Sequence, residues 1–406
     1  MTLISKALQI KNETVANANT ALRVGEMFES IVKNNTDVII DGIGALPTAI
    51  AGVHTLLPNT TYHFKGDIDL NGERLEGQLN TCILGNSSEN ASITSTGLTP
   101  GTPLITLTAT TPIRHITIKD VDTAFNVSGG AFDWYGVNLV NVPNIGNLYD
   151  FSNFIFDKGA FINSSNLIVD GEFDTAAIGN SLLSASFGTI ISLISNVVVN
   201  RRFRITYSAV VASGSATALN VSTSANIPAE KYILDTVDFA GGGTYLAGVQ
   251  STDNKALFTN CNGIDNSRQV SHYYMNGNAT VTSIAATGTP VKVLGVTTSG
   301  EFTQKFTNIN NRATYTGAFP RIFRITATIS IESGNNNQIG GYIALNGVVL
   351  DKSEVYATTS GNGKAEPFTI QTLVQLSTGD YIEIFAENKT STTSLTATQL
   401  NVIITE

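Results

Sequence analysis

The alternation between Arg321 and Ile331 constrains this chain more than any other feature. In RIFRITATISI, Phe323, Ile325, Ala327, Ile329 and Ile331 alternate with Arg324, Thr326, Thr328 and Ser330. A side-chain period of two belongs to a strand with one face buried and the other in water. The pattern returns in Phe368, Ile370, Thr372, Val374 and Leu376, then in Ile382, Ile384 and Ala386 opposed to Glu383 and Glu387. A last strand carries Leu400, Val402 and Ile404. Asn346-Gly347 and Thr378-Gly379-Asp380 supply turn residues between strands. Such strands cannot cover their apolar faces alone, so two packed antiparallel sheets are expected.

Upstream the rhythm shortens. HITIKDVD (115–122), YGVNLVNV (135–142), SNFIFDK (152–158), SNLIVDG (165–171), SNVVVNRRFRITY (196–207), YILDTVDFAGG (232–242) and ALFTNCNG (256–263) each have an apolar centre bounded by Asn, Asp, Ser or Gly. A parallel β-helix requires this, because each coil contributes short strands and turns sharply between them. The spacing is uneven, and a β-sandwich with long loops is the competing arrangement. Residues 1 to about 35 differ in kind. Leu22, Met27, Phe28, Ile31 and Val32 share one helical face, with Asn19 or Thr20 able to cap its start. That helix reads as an attachment element or as a cap on the following domain. The expected division is a helical segment over 1–40, a solenoid over 41–285 and a sandwich over 286–406.

The 406 residues are long enough for two or three domains, and charged residues make up only 14%, against a usual quarter. Asparagine, serine and threonine fill the difference. The net charge of −9 argues against a nucleic-acid partner, and Arg201-Arg202 with Arg204 read as edge-strand charges. Cys82 and Cys261 are far apart in sequence and read as core thiols rather than a disulfide. No run approaches twenty apolar residues, so membrane insertion is not expected. No basic-then-apolar leader opens the chain.

Chemistry-bearing motifs are sparse. Glycoside cleavage needs two carboxyl groups across the sugar; Asp170 and Asp174 are the first candidates, and solvated coil turns are the plainer account of them. His54, His63, His115 and His272 are scattered, and Asp67-x-Asp69-x-Asn71-Gly72-Glu73 reads as a polar turn rather than a calcium loop. No cofactor or metal is expected. Phe132, Trp134 and Tyr135, in GGAFDWYGV, form either a sugar-stacking platform beside Asp133 or part of the core.

The order of these parts resembles the tail-fibre, tail-spike or head-fibre proteins of bacterial viruses and prophages. NETVANANTALRVGEMFESIV is similar to the N-terminal segment of such proteins, and the central stretch resembles a pectate-lyase-type β-helix. FTNINNRATYTG (306–317), GGYIALNGVVL and LSTGDYIEIFAEN resemble the C1q/TNF-like jelly rolls that end many of these fibres. The resemblance implies an all-β chain: a right-handed parallel β-helix, then an antiparallel jelly-roll sandwich, with a short N-terminal helix. It further implies a homotrimer exposed on the virion, made in the host cytoplasm and joined to other virion proteins through its N-terminal segment. A host-surface glycan or protein would be its target. The rivals are a capsule-polysaccharide depolymerase using Asp170 and Asp174, and a purely architectural decoration protein. The non-enzymatic reading is preferred.

Overall fold

A computed structural model describes residues 36–361 and 366–406; the expected N-terminal helix lies outside the described residues. The chain is all-β and divides into two compact units, one ending at Gln250 with Leu257–Asn266 added, the other holding Ser251–Ala256 and Ser267–Glu406.

The first unit is a parallel β-solenoid. Thr36–Ile40 pairs in parallel with Thr60–Phe64, which pairs with Cys82–Gly85, which pairs with Ile113–Arg114, and the ladder climbs one coil at a time. Three such ladders run up the solenoid. In one, Tyr62, Ile83, Ile113, Trp134, Phe156, Ile178, Ile205 and Leu234 stand directly above one another. All eight are buried. A second ladder stacks Leu75, Ile105 and Phe125 inward, and a third stacks Ile118, Leu139 and Phe161. Rings fill the middle coils: Trp134 lies 4.2 Å from Phe125 and 4.9 Å from Phe154, and Phe151 stacks on Phe173 at 4.8 Å. The Asn144–Asp157 strand serves two ladders, bending at a register shift between Tyr149 and Phe151 where Asp150 takes φ 44°.

The corners explain the asparagine content. One corner repeats left-handed residues coil after coil: His115, Gly136, Lys158, Asn180, Tyr207, Thr236 and Asn260 have φ between 48° and 63°. Asparagine reaches this region at low cost, because its short polar side chain can bond locally. At another corner Asn141 donates to Asp120 at 2.9 Å, Asn163 to Asn141 at 3.2 Å, and Ser186 to Asn163 at 3.2 Å. Each link ties two coils. The uneven spacing seen in sequence is corner length, not loss of the repeat.

The second unit is the expected antiparallel sandwich. One sheet runs in the order Thr298–Ser299, Val270–Asn276, Thr396–Thr405, Arg321–Glu332, Glu366–Leu376. The other runs Phe306–Asn308, Ala313–Tyr315, Tyr381–Asn388, Gln338–Leu345, with Val355–Thr358 and Val348–Val349 also pairing on Gln338–Leu345. Both sheets pair strands that are distant in sequence, as in Val270–Asn276 with Thr396–Thr405 and Ala313–Tyr315 with Tyr381–Asn388, which is a jelly-roll path. Phe323, Ile325, Ala327, Ile329 and Ile331 face Ile382, Ile384, Ala386 and Ile343 across the core. Asn346 (φ 53°) and Gly347 (φ 79°) close a two-residue hairpin, as their types require.

The domain seam differs from expectation. Val270–Asn276, assigned from sequence to the solenoid, pairs along its whole length with Thr396–Thr405 of the sandwich. Tyr273 and Met275 alternate inward there and belong to the sandwich core. The sequence pattern of this strand is genuine, but its partner lies over a hundred residues away. The thiols are free; Cys261 is buried as expected, whereas Cys82 is only half-buried.

Candidate interaction surfaces

Period two decides the fate of the expected aromatic platform. Phe132 and Trp134 are two residues apart on Ala131–Tyr135, so both point inward and both are fully buried. They are core, and the platform reading is corrected. Tyr135 points outward, but His115 meets its ring edge-on at 5.3 Å and Lys158 Nζ lies 5.3 Å from its centroid. Asp133 pairs with Arg114.

Asp170 and Asp174 are held separately. Asp170 Oδ1 accepts from Gly171 N at 2.6 Å, at a left-handed glycine with φ 67°. Asp174 shares Asn200 Nδ2 with Glu172, at 3.2 and 3.0 Å. Glu172 and Asp174 thus meet at one amide, which Asp170 does not share. Asp67 and Asp69 are engaged by the following coils: Ser92 donates to Asp67 at 2.5 Å and Thr96 to Asp69 at 2.6 Å from the next, and Lys119, one coil further on, pairs with Asp67 at 3.2 Å. These bonds hold both carboxyls below their ordinary range, Asp67 mainly through Ser92 and Asp69 mainly through Thr96. Among the described residues no group of three or more His, Cys, Asp or Glu gathers to hold a metal.

The three solenoid faces differ outwardly. On one, Thr106, Asn126, Asn147, Ile168, Ser192 and Asn220 form a vertical row. A shallow groove of about 440 Å³ runs there between Asn126, Asn147 and Asn166. Its amides donate and accept without charge. A second face carries Val140, Ile162 and Leu182, the last two exposed. The remaining face carries Arg202 and Arg204. Their strand, Val198–Ala212, has parallel partners on both sides, so the expected edge-strand placement of these arginines is corrected.

The two outward faces of the sandwich contrast more strongly. On the Tyr381–Asn388 sheet, Glu383 is buried beneath Lys292 and Arg312, and Glu387 beneath Lys389 and Tyr342. Charge is neutralised within the sheet. On the Arg321–Glu332 sheet the outward positions are Ile322, Arg324, Thr326, Thr328 and Ser330, flanked by Leu373, Gln371, Ile403, Asn401 and Tyr274. Ile322 and Leu373 are 62% and 61% exposed, and Ile403 is 44% exposed. Arg324 bonds Gln371 at 3.2 Å. This face is broad, nearly uncharged and partly apolar. Alternation in the sequence marked its residues as outward, but nothing local marked them as gathered.

No family model matches the chain, and no curated protein resembles it in sequence. Among solved structures, murine APRIL at pH 5.0 is similar at 9% identity and TM-score 0.26, covering 34% of this chain and 99% of that one. Eiger TNF from S. frugiperda is similar at 10% identity and TM-score 0.24, covering 34% of this chain and 92% of that one. The sandwich is defined by its strand order and register.

Proposed function

We propose that this chain is a homotrimeric, non-enzymatic fibre protein of a bacterial virus or prophage, exposed on the virion and engaging a host surface. The observation that carries the assembly is the outward face of the Arg321–Glu332 sheet, where Ile322, Leu373 and Ile403 stand exposed among mostly uncharged neighbours, with Arg324 opposite Leu373. Covering such side chains contributes about 1.5–3 kcal/mol each. A closed three-fold arrangement covers one such face on every copy and leaves no open-ended growth. The opposite sheet, with its carboxylates already matched to Lys292, Arg312 and Lys389, offers no comparable gain. Ile162 and Leu182 on the solenoid support side-by-side packing of the same copies.

The virion role rests on the order of parts, a solenoid followed by a jelly roll, together with the resemblance of the terminal motifs. In this reading residues 1–35 join the chain to other virion proteins, and the asparagine-lined groove meets host glycan hydroxyls. A glycan array probed with the full chain tests recognition, with reducing ends assayed in parallel. Retention without release of oligosaccharides is the expected result. Release that disappears in Asp170→Asn or Asp174→Asn would replace this reading with a depolymerase.

A further inference from the structure

The Val198–Ala212 strand places Phe203 and Ile205 in the core, so Arg202, Arg204 and Thr206 face outward. Arg204 stands between Ala177 on the coil below and Ile233 on the coil above, and Arg202 stands beside Thr175. The Arg204 side chain borders a cleft of about 240 Å³, walled by Ile155, Asp157, Gly179, Asn180 and Thr206. Gly179 keeps it open: a Cβ there would come within 3.2 Å of Asp157 Oδ1.

Among the described residues neither Arg202 nor Arg204 forms an ion pair, whereas Arg114, Arg312 and Arg321 each do. Arg204 Nε is shielded from solvent and has no acceptor. Burial, and then the neighbouring Arg202 charge, push the Arg204 pKa below its ordinary value. A shielded donor without an acceptor is costly to keep, and a charged oxygen ligand in the cleft would meet this guanidinium through its other N–H groups.

We propose that Arg202 and Arg204 form a subsite for the carboxylate of a uronic-acid residue in an acidic polysaccharide. The flat guanidinium fork suits a carboxylate's two oxygens. Asp157, held at one oxygen by Asn180 Nδ2 at 2.8 Å, accepts from sugar hydroxyls, and Thr206 offers a hydroxyl of its own. Ile155 and Ala177 supply an apolar floor for a ring face. The Asp157 charge disfavours a compact polyanion such as phosphate, so a ligand with one carboxylate and several hydroxyls fits better. The subsite lies on one solenoid face and does not depend on trimer assembly.

The test is calorimetric titration of the full chain with trigalacturonate, maltotriose and inorganic phosphate. Trigalacturonate is expected to bind, with maltotriose and phosphate at least tenfold weaker. Arg204→Gln and Arg202→Ala should each weaken trigalacturonate roughly tenfold or more, since each removes charge-assisted hydrogen bonds. Arg202 is exposed, so Arg202→Ala keeps the test decisive if Arg204→Gln unfolds. Absence of trigalacturonate binding, equal binding of maltotriose or phosphate, or indifference to both substitutions would overturn the proposal. A fall in assembly mass in Arg202→Ala would do so as well, by assigning the cation to a contact between copies.

Discussion

Glu383 Oε1 lies 2.6 Å from Lys292 Nζ and 2.8 Å from Arg312 Nε, on a strand whose other face is the sandwich core. The Glu383 side chain is 3% exposed, while Arg312 also covers the Tyr381 ring at 4.0 Å. One carboxylate therefore bridges two cations on this face. Glu383→Ala would leave both unpaired, and we expect a loss of about 2–4 kcal/mol, with the partly exposed cations keeping it below a fully buried break. Urea denaturation checks this. Lys292→Ala should cost less, because Arg312 continues to hold Glu383.

Trp134 and Tyr135 are adjacent in sequence but opposite in environment. Trp134→Ala empties a site packed against Phe125 and Phe154 and should cost about 3–5 kcal/mol. Tyr135→Ala removes an outward ring and should cost about 1 kcal/mol or less. Midpoint shifts in urea separate the two, and equal costs would contradict the inward assignment of Trp134.

Thr236 occupies a left-handed corner (φ 55°) that Tyr207 fills on the coil before and Asn260 on the coil after. A β-branched residue is strained in this region. Thr236→Gly or Thr236→Asn should stabilise the chain by about 1 kcal/mol, read as a higher melting temperature. A lower one would show that the Thr236 hydroxyl, 3.3 Å from Asp235 Oδ1, outweighs backbone strain.

Acid should weaken the fold in a defined way. Glu354 lies below its ordinary pKa of 4.5, mainly through its bond to Lys389, and Asp67 and Asp69 lie below 3.8 through Ser92 and Thr96. A carboxylate with a depressed folded pKa stabilises the fold above its unfolded value and loses that contribution as pH falls through the folded one. The melting temperature should therefore hold from pH 7 to about 5 and then decline. Lys389→Met should shallow that decline. An unchanged acid limb would contradict the Glu354–Lys389 assignment.

What was legible in the sequence follows physical range. Alternation is local, so the inward set from Phe323 to Ile331 was readable, as was the Asn346-Gly347 hairpin. Corner asparagines marked coil ends for the same reason. Tyr207 and Thr236 gave no such signal, because neither residue type prefers the left-handed corner it occupies. The Arg204 cleft was not readable either: Phe203 and Ile205 set its outward direction, but Ile155, Asp157 and Gly179 come from preceding coils. Val270–Asn276 was a readable strand whose distant partner, Thr396–Thr405, was not.

The proposed assembly joins three copies through the outward face of the Arg321–Glu332 sheet. Sedimentation equilibrium of the full chain, beside Ile403→Arg and Leu373→Arg, is the decisive measurement. The predicted result is three times the chain mass for the parent and a monomer for each variant, with far-ultraviolet circular dichroism unchanged. A monomeric parent, or trimers that survive both charged substitutions, would contradict it.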